Sequence, residues 1–362
     1  MFNRKDLLSW VDKKVMDNLS IVLRIKSIKT EAPDTKSFVL ESVESKPLVY
    51  KSGQFLTLLF KHNNGEEVRR SYSISSSPLL SEPLTITVKK IPNGEFSRKL
   101  VDHAKEGDLL NSIGASGLFV LPDSYDRHLL FCFLAAGSGI TPIFSQIKSI
   151  LYGSENSVIL IYSNKNAFST IFLNEILRLK DVFKERFMLE LLFSESAPLT
   201  EGRLSQGVLD QLAQKYNLYK DDHILFYLCG PNAYMRMINI KLRAEGVRSD
   251  HIKKELFIVD APLYQLPEPP ERKAYPVTIH YKGETFTIQV KYPISILETA
   301  KKHGKALPYS CETGQCGTCA AICSTGNVWM RYNEVLGEHA LAEGYVLTCT
   351  GYPIGGPVEL TI

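Results

Sequence analysis

Cys311, Cys316, Cys319 and Cys349 fall at the spacing C-x4-C-x2-C-x29-C near the end of the chain. Thiolates are soft ligands, and three crowded on one loop with a fourth far downstream is how a [2Fe–2S] cluster is gripped. Such a cluster moves one electron at a time and makes no bond to a substrate. The segment PYSCETGQCGTC, residues 308–319, forms the loop, and its glycines let backbone N–H groups turn toward the sulfurs. A zinc site with four cysteine ligands is the competing reading, but it usually shows two C-x2-C-like pairs rather than a triple and a single. Cys323 is out of register with the four and reads as a small, buried strand residue.

Upstream, Arg70-Ser71-Tyr72-Ser73 offers an arginine to pair with a phosphate and an aromatic face to pack on a flat ring. Further on, Asn93-Gly94-Glu95-Phe96-Ser97 opens a helix-like RKLVDHA, whose first N–H groups suit a pyrophosphate. A third constellation, AAGSGITP at residues 135–142, follows an apolar strand and opens a helix, with Pro142 in the first turn. Gly137 and Gly139 there allow a diphosphate to approach the backbone and the helix N-terminus. It departs from G-x-G-x-x-G, because Pro142 stands in the place of the third glycine. Taken singly, an exposed strand or an ordinary strand–turn–helix junction produces the same residues. Cys132 reads as core.

The elements that must position these groups separate by rhythm. Residues 20–122 repeat short β-rich runs (SIVLRIKSI, TKSFVLES, QFLTLLF, RRSYSIS, LTITVKK, DLLNSI) and read as an antiparallel barrel or sandwich. Residues 123–265 alternate apolar strands (HLLFCFLAAG, SVILIYS, MLELLFS, HILFYLCG) with helical patterns, which argues for a parallel α/β sheet. Residues 266–273, with PEPPERK at 267–273, read as a stiff, charged linker. Residues 274–362 begin with a hairpin signal around Lys282-Gly283, followed by a helix and the cysteine loop. Ahead of all this, Leu8, Val11, Val15 and Leu19 suggest an amphipathic helix over residues 1–19.

Composition narrows the function. A net charge of +3, with no basic run interleaved with aromatics, gives no ground for nucleic acid as a partner. No apolar stretch reaches the roughly 18–20 residues of a membrane span, and the first residues lack the h-region of a signal peptide. Seven cysteines, an odd number, do not form a secreted disulfide framework, so a reducing cytoplasm is expected.

Residue by residue, PYSCETGQCGTC with LTCTGYP resembles plant-type ferredoxin, a β-grasp-like α+β domain, and that resemblance makes the four cysteines the cluster ligands. RSYS, the GEFS turn and Gly53-Gln54-Phe55 resemble the FAD domain of the ferredoxin–NADP reductase superfamily. This implies that Arg70, Tyr72, Ser73, Gly94 and Ser97 bind the flavin. AAGSGITP, IYSNKN and LCGPNAYM follow in the order of that superfamily's NAD(P)H half. The implied nucleotide residues are Gly137, Gly139, Thr141, Pro142, Cys229, Gly230 and Pro231, with Thr141 near the flavin and Cys229 near the nicotinamide as the catalytic pair. Glu255-Leu256-Phe257 resembles the end of the same module.

The resemblance implies an NAD(P)H-dependent reductase passing electrons through FAD and a [2Fe–2S] cluster to a protein acceptor. The domain order is similar to reductase components of oxygenases, including phenylacetyl-CoA epoxidase and steroid hydroxylase systems. Reductases of hybrid-cluster proteins and a non-catalytic redox sensor are the alternatives. The electron-transfer subunit of dihydroorotate dehydrogenase shares the order, but its last cysteine follows sooner. Between NADH and NADPH, the stretch Ser163–Ser169 has no carboxylate to bond a ribose 2′-hydroxyl, and Arg203 could approach, so NADPH is favoured.

Overall fold

The computed structural model describes residues 20–44, 47–62, 64–92, 94–195, 202–219, 223–257 and 267–362. The expected helix over residues 1–19 lies outside them. The chain divides after Glu255 into two compact units.

The first unit opens with six strands, β1 (Ile21–Ala32), β2 (Thr35–Ser42), β3 (Phe55–Lys61), β4 (Glu67–Ser73), β5 (Thr85–Lys89) and β6 (Leu109–Ser116). All pair antiparallel in the order β4-β3-β6-β1-β2-β5. A bridge from Ile74 to Ile86, with Ser75 N–H donating to Thr85 O at 2.9 Å, joins the two outer strands and closes the sheet into a barrel. Leu23, Ile25, Phe38, Leu40, Leu56, Leu58, Ile86 and Val88 fill it, since each strand sends alternate side chains inward. Between β5 and β6 lies the short helix α1 (Glu95–Arg98), which runs on into a wider turn over Lys99–His103.

The rest of this unit is a five-stranded parallel sheet of β7 (Leu130–Ala136), β8 (Ser157–Asn164), β9 (Phe187–Phe193), β10 (Ile224–Cys229) and β11 (Ile252–Glu255). Helices α2 (Ile140–Gly153), α3 (Leu173–Phe183), α4 (Gln206–Tyr216) and α5 (Asn232–Ala244) alternate with the strands. Helices cover the sheet, so the central strands are apolar throughout; β10 is buried along its whole length. The order β11-β10-β7-β8-β9 reverses direction between β7 and β10. Crevices at such a reversal, outside the carboxyl ends of the strands, are where open α/β sheets take ligands.

The second unit holds β12 (Tyr275–Tyr281), β13 (Glu284–Val290), α6 (Ile296–Lys302), β14 (Ala320–Met330), α7 (Glu338–Ala342), β15 (Tyr345–Leu347) and β16 (Gly351–Thr361). Its mixed sheet has the order β13-β12-β16-β14-β15, with β12 and β16 parallel. Lys282 and Gly283 turn the first hairpin with φ of 50° and 80°, the left-handed pair that two-residue hairpins require. The residues expected to form a stiff linker are not all free. Glu271 accepts hydrogen bonds from Gly355 N–H and from the Tyr275 hydroxyl, and the Arg272 guanidinium lies 5.5 Å from the Tyr292 ring centre. This part of the charged stretch is laid against the β12–β16 sheet.

Candidate flavin, nucleotide and cluster sites

Strand β4 carries Arg70, Tyr72 and Ser73 opposite Leu58, Leu56 and Phe55 of β3. Alternation puts Arg70 and Tyr72 on one face, and Ser73 on the other, where it is buried. Burial pushes the Tyr72 phenol up, only partly offset by the Arg70 charge, so it stays protonated and can donate. Arg70 has no carboxylate partner among the described residues, and its guanidinium sits 5.5 Å from the centre of the Phe96 ring. Two motifs far apart in sequence, β4 and the Gly94–Ser97 turn, are thereby brought together. Phe96 stacks on Phe60 at 4.6 Å, which seats that turn on the barrel core. Ser97 is buried; its hydroxyl donates to Gly94 O at 3.2 Å and accepts from Ile91 N–H at 3.3 Å. It shapes the turn from inside. The guanidinium also donates to Arg69 O at 2.8 Å, and a cation beside a helix start with no carboxylate on it fits an FAD diphosphate.

At the reversal between β7 and β10, the glycine turn meets the Cys229–Pro231 segment. A Cβ on Gly139 would stand 2.0 Å from Cys229 O, whereas one on Gly137 would meet nothing within 4 Å. One glycine is therefore packed against the neighbouring strand end, and the other borders open space that a diphosphate fits. Thr141 is 2% exposed and donates its hydroxyl to Ser138 O at 2.9 Å, closing the first turn of α2. Pro142 is buried in that same turn. Cys229 is fully buried, and its thiol is pushed well up by burial and by the charge of Glu255, its neighbour across β11. It offers a neutral wall rather than a nucleophile. Gly230 and Pro231 lead into the N-terminus of α5. Cys132 is fully buried in β7, as expected.

Sequence reasoning missed what holds α2 in place. Twelve of its fourteen residues are buried, among them Ser145, Gln146, Lys148 and Ser149. Ser149 Oγ lies 2.7 Å from Ser77 Oγ and 2.5 Å from Ser52 Oγ, and Ser145 donates to Ser76 O at 2.6 Å. Gln146 donates to Phe119 O at 2.6 Å, and Lys148 pairs with Glu82. These partners are barrel residues, and Ser76 and Ser77 directly follow the Arg70–Ser73 strand. A signal existed in the polar residues spaced along one face of an otherwise apolar helix.

The reading of Ser163–Ser169 as free of acid also missed a neighbour. Beyond β9, Glu195 N–H donates to Lys165 O at 2.9 Å, and its carboxylate accepts from Asn166 Nδ2 at 2.5 Å. Asn166 in turn caps the turn at Ala167–Ser169. A carboxylate absent from the stretch itself thus lies beside it, just past the end of β9.

In the second unit Cys311, Cys316 and Cys319 share the 308–319 loop, and the Thr348 N–H and hydroxyl both donate to Cys319 O at 3.1 Å, which brings the neighbouring Cys349 to the Cys319 end of that loop. Neighbouring Cys316 and the N–H groups of Thr313 and Gln315 lower the Cys311 thiol below its usual range. Thr313 N lies 3.5 Å from Cys311 Sγ, and Gly314 N–H reaches Cys349. Gly314 has φ of 78°, and a Cβ there would stand 2.6 Å from Tyr332 O. Four soft sulfurs ringed by backbone donors fit a [2Fe–2S] cluster. Cys323 corrects the expectation of a buried residue: it is only half-buried, on β14, with Sγ 3.4 Å from Thr325 O. No described helix is long and apolar enough to cross a membrane.

Comparison with known proteins identifies three domains. Residues 22–121 match the oxidoreductase FAD-binding domain, 133–239 the oxidoreductase NAD-binding domain, and 279–353 the 2Fe-2S iron-sulfur cluster binding domain. The ferredoxin reductase component of 3-ketosteroid-9-alpha-monooxygenase from Mycolicibacterium smegmatis is 32% identical over 350 residues, covering 94% of this chain and 96% of that protein. A component of the 1,2-phenylacetyl-CoA epoxidase of Escherichia coli is 31% identical over 346 residues, covering 93% and 96%. Among solved structures, phthalate dioxygenase reductase shares the fold with a TM-score of 0.57, 24% identity and coverage of 95% and 98%. The three modules occur in one order and the similarity runs nearly end to end. The chain therefore belongs to the family of ferredoxin reductases that join FAD-binding, NAD-binding and [2Fe–2S] domains, and is an NAD(P)H-dependent flavin and iron–sulfur oxidoreductase.

Proposed function

We propose that this chain is the reductase component of an oxygenase system, drawing electrons from NAD(P)H and delivering them singly to a separate oxygenase protein. The named relatives serve a steroid monooxygenase and a phenylacetyl-CoA epoxidase, and it is the shared reductase role that carries over. When bound, FAD accepts a hydride from NAD(P)H and the cluster carries one electron at a time.

The chain's own residues divide the remaining work. Arg70 pairs with the flavin diphosphate beside Gly94 and Ser97, while Tyr72 packs on the ring system along β4 and Ser73, its side chain buried on the opposite face, offers only its backbone. Gly137, Gly139, Thr141 and Pro142 form one rim of the nucleotide crevice and Cys229, Gly230 and Pro231 the other. Cys311, Cys316, Cys319 and Cys349 ligate the cluster. We assign the flavin domain to residues 20–122, the nucleotide domain to 123–265, the linker to 266–273 and the ferredoxin domain to 274–362. Seven cysteines without a disulfide framework suit a reducing cytoplasm.

The observation that carries the reading is the polar seam: α2 leaves the glycine turn and is bonded to Ser76 and Ser77, which leave the Arg70–Ser73 strand. Flavin and nucleotide residues are thus held on one body, as direct hydride transfer between two bound groups requires. The test is reduction of ferricyanide and of cytochrome c by NAD(P)H, in the wild type and in Cys349→Ser. Flavin reduction should persist in the variant while cytochrome c reduction collapses. Unchanged cytochrome c reduction would take the cluster off the path, and a cofactor-loaded wild type inert to both nucleotides would leave a sensor instead of an enzyme.

A further inference from the structure

Two tyrosines beneath the glycine turn have no part in the assignments above. Tyr162, on β8, is fully buried and its hydroxyl donates to Gly137 O at 3.0 Å. Tyr234, on α5, donates to Ala135 O at 3.1 Å. Its ring also backs the opposite rim, because a Cβ on Gly230 would stand 3.1 Å from Tyr234 Cδ1. The two hydroxyls reach the turn from different elements and grip carbonyls on either side of Ala136.

In a trans peptide the C=O and the following N–H point in opposite directions. Holding Gly137 C=O down against Tyr162 therefore aims Ser138 N–H the other way. That is the direction needed for a donor to face a diphosphate lying over the glycines. Gly137 O also accepts from Ile140 N–H, so loss of the tyrosine leaves the carbonyl partnered while freeing the plane to tilt. We propose that Tyr162 and Tyr234 are positioning residues for the dinucleotide, locking the peptide planes around Ala136 so that the 137–139 turn presents its N–H groups to the diphosphate. This rests on the assignment of that turn to NAD(P)H.

The test is equilibrium titration of the oxidised holoenzyme with ADP-ribose, which keeps the diphosphate and cannot reduce the flavin. Tyr162→Phe and Tyr234→Phe should each weaken binding roughly fivefold to tenfold, the effect of one lost or misaligned hydrogen bond. Flavin content should be unchanged. Tyr227→Phe is the control: Tyr227 is equally buried in the same sheet and donates to Val120 O at 3.1 Å, away from the turn. It should lower the melting temperature and leave ADP-ribose affinity within twofold. Unchanged affinity in both test variants overturns the proposal. So does equal weakening in the control, because the cause would then be general loosening of the sheet. A wild type that does not bind ADP-ribose at all would instead overturn the nucleotide assignment itself.

Discussion

Gly139→Ala puts one methyl group where the structure has least room. The new carbon would lie 2.0 Å from Cys229 O, 2.4 Å from Cys229 C and 2.9 Å from Gly230 N. Ordinary carbon–oxygen contact is about 3.2–3.4 Å, so the two rims must part by more than ~1 Å. Everything in the way is backbone, and no flexible side chain can swing aside. Overpacking of this sort costs about 1–3 kcal/mol, which for a body of this size lowers the melting temperature by about 2–4 °C per kcal/mol.

The functional loss should be far larger than the loss of stability. The same displacement separates the glycine turn from Cys229–Pro231, and an error of about 1 Å in the placement of reacting groups can cost roughly 100-fold in rate. Stopped-flow reduction of bound flavin at saturating nucleotide reads this directly. We expect a fall of about 100-fold with FAD content intact, since the flavin residues sit on the barrel. A rate within threefold of wild type, in a variant that keeps its flavin, would refute the assignment of this crevice to the hydride donor.

The remaining expectations concern other parts of the chain. Gly314→Ala forces a side chain into a left-handed position 2.6 Å from Tyr332 O, so purified protein should lose most of its iron and cluster absorbance while FAD content stays normal. Glu195→Arg exchanges a carboxylate hydrogen-bonded to Asn166 for a cation, and should raise the ratio of NADPH to NADH kcat/KM about tenfold or more; no change in that ratio would remove Glu195 from the adenosine end of the site. Lys148→Met strips the cation from Glu82, which keeps the Ser77 N–H at 2.7 Å. Because that carboxylate is 31% exposed, the cost should be only about 1–2 kcal/mol, seen as a lower melting temperature by calorimetry.

The strands and the cysteine motif of the [2Fe–2S] domain were legible in the chain itself because both are local signals. The six β-rich runs became β1–β6, since alternation of apolar residues leaves a strand only one face to bury. The cysteines had to lie at the spacing that one loop and one distant strand can bring to two irons. Residue order likewise showed three modules in succession. Tertiary structure decided everything that depends on which elements become neighbours. Only the closed barrel brings Arg70 against the turn at Gly94–Ser97, and only the reversal of strand order sets Gly139 against Cys229. The serine seam, the Glu195 carboxylate beside Asn166 and the two tyrosines under the glycine turn join residues from separate elements. A hydrogen bond depends on distance in space, and separation along the chain does not encode it.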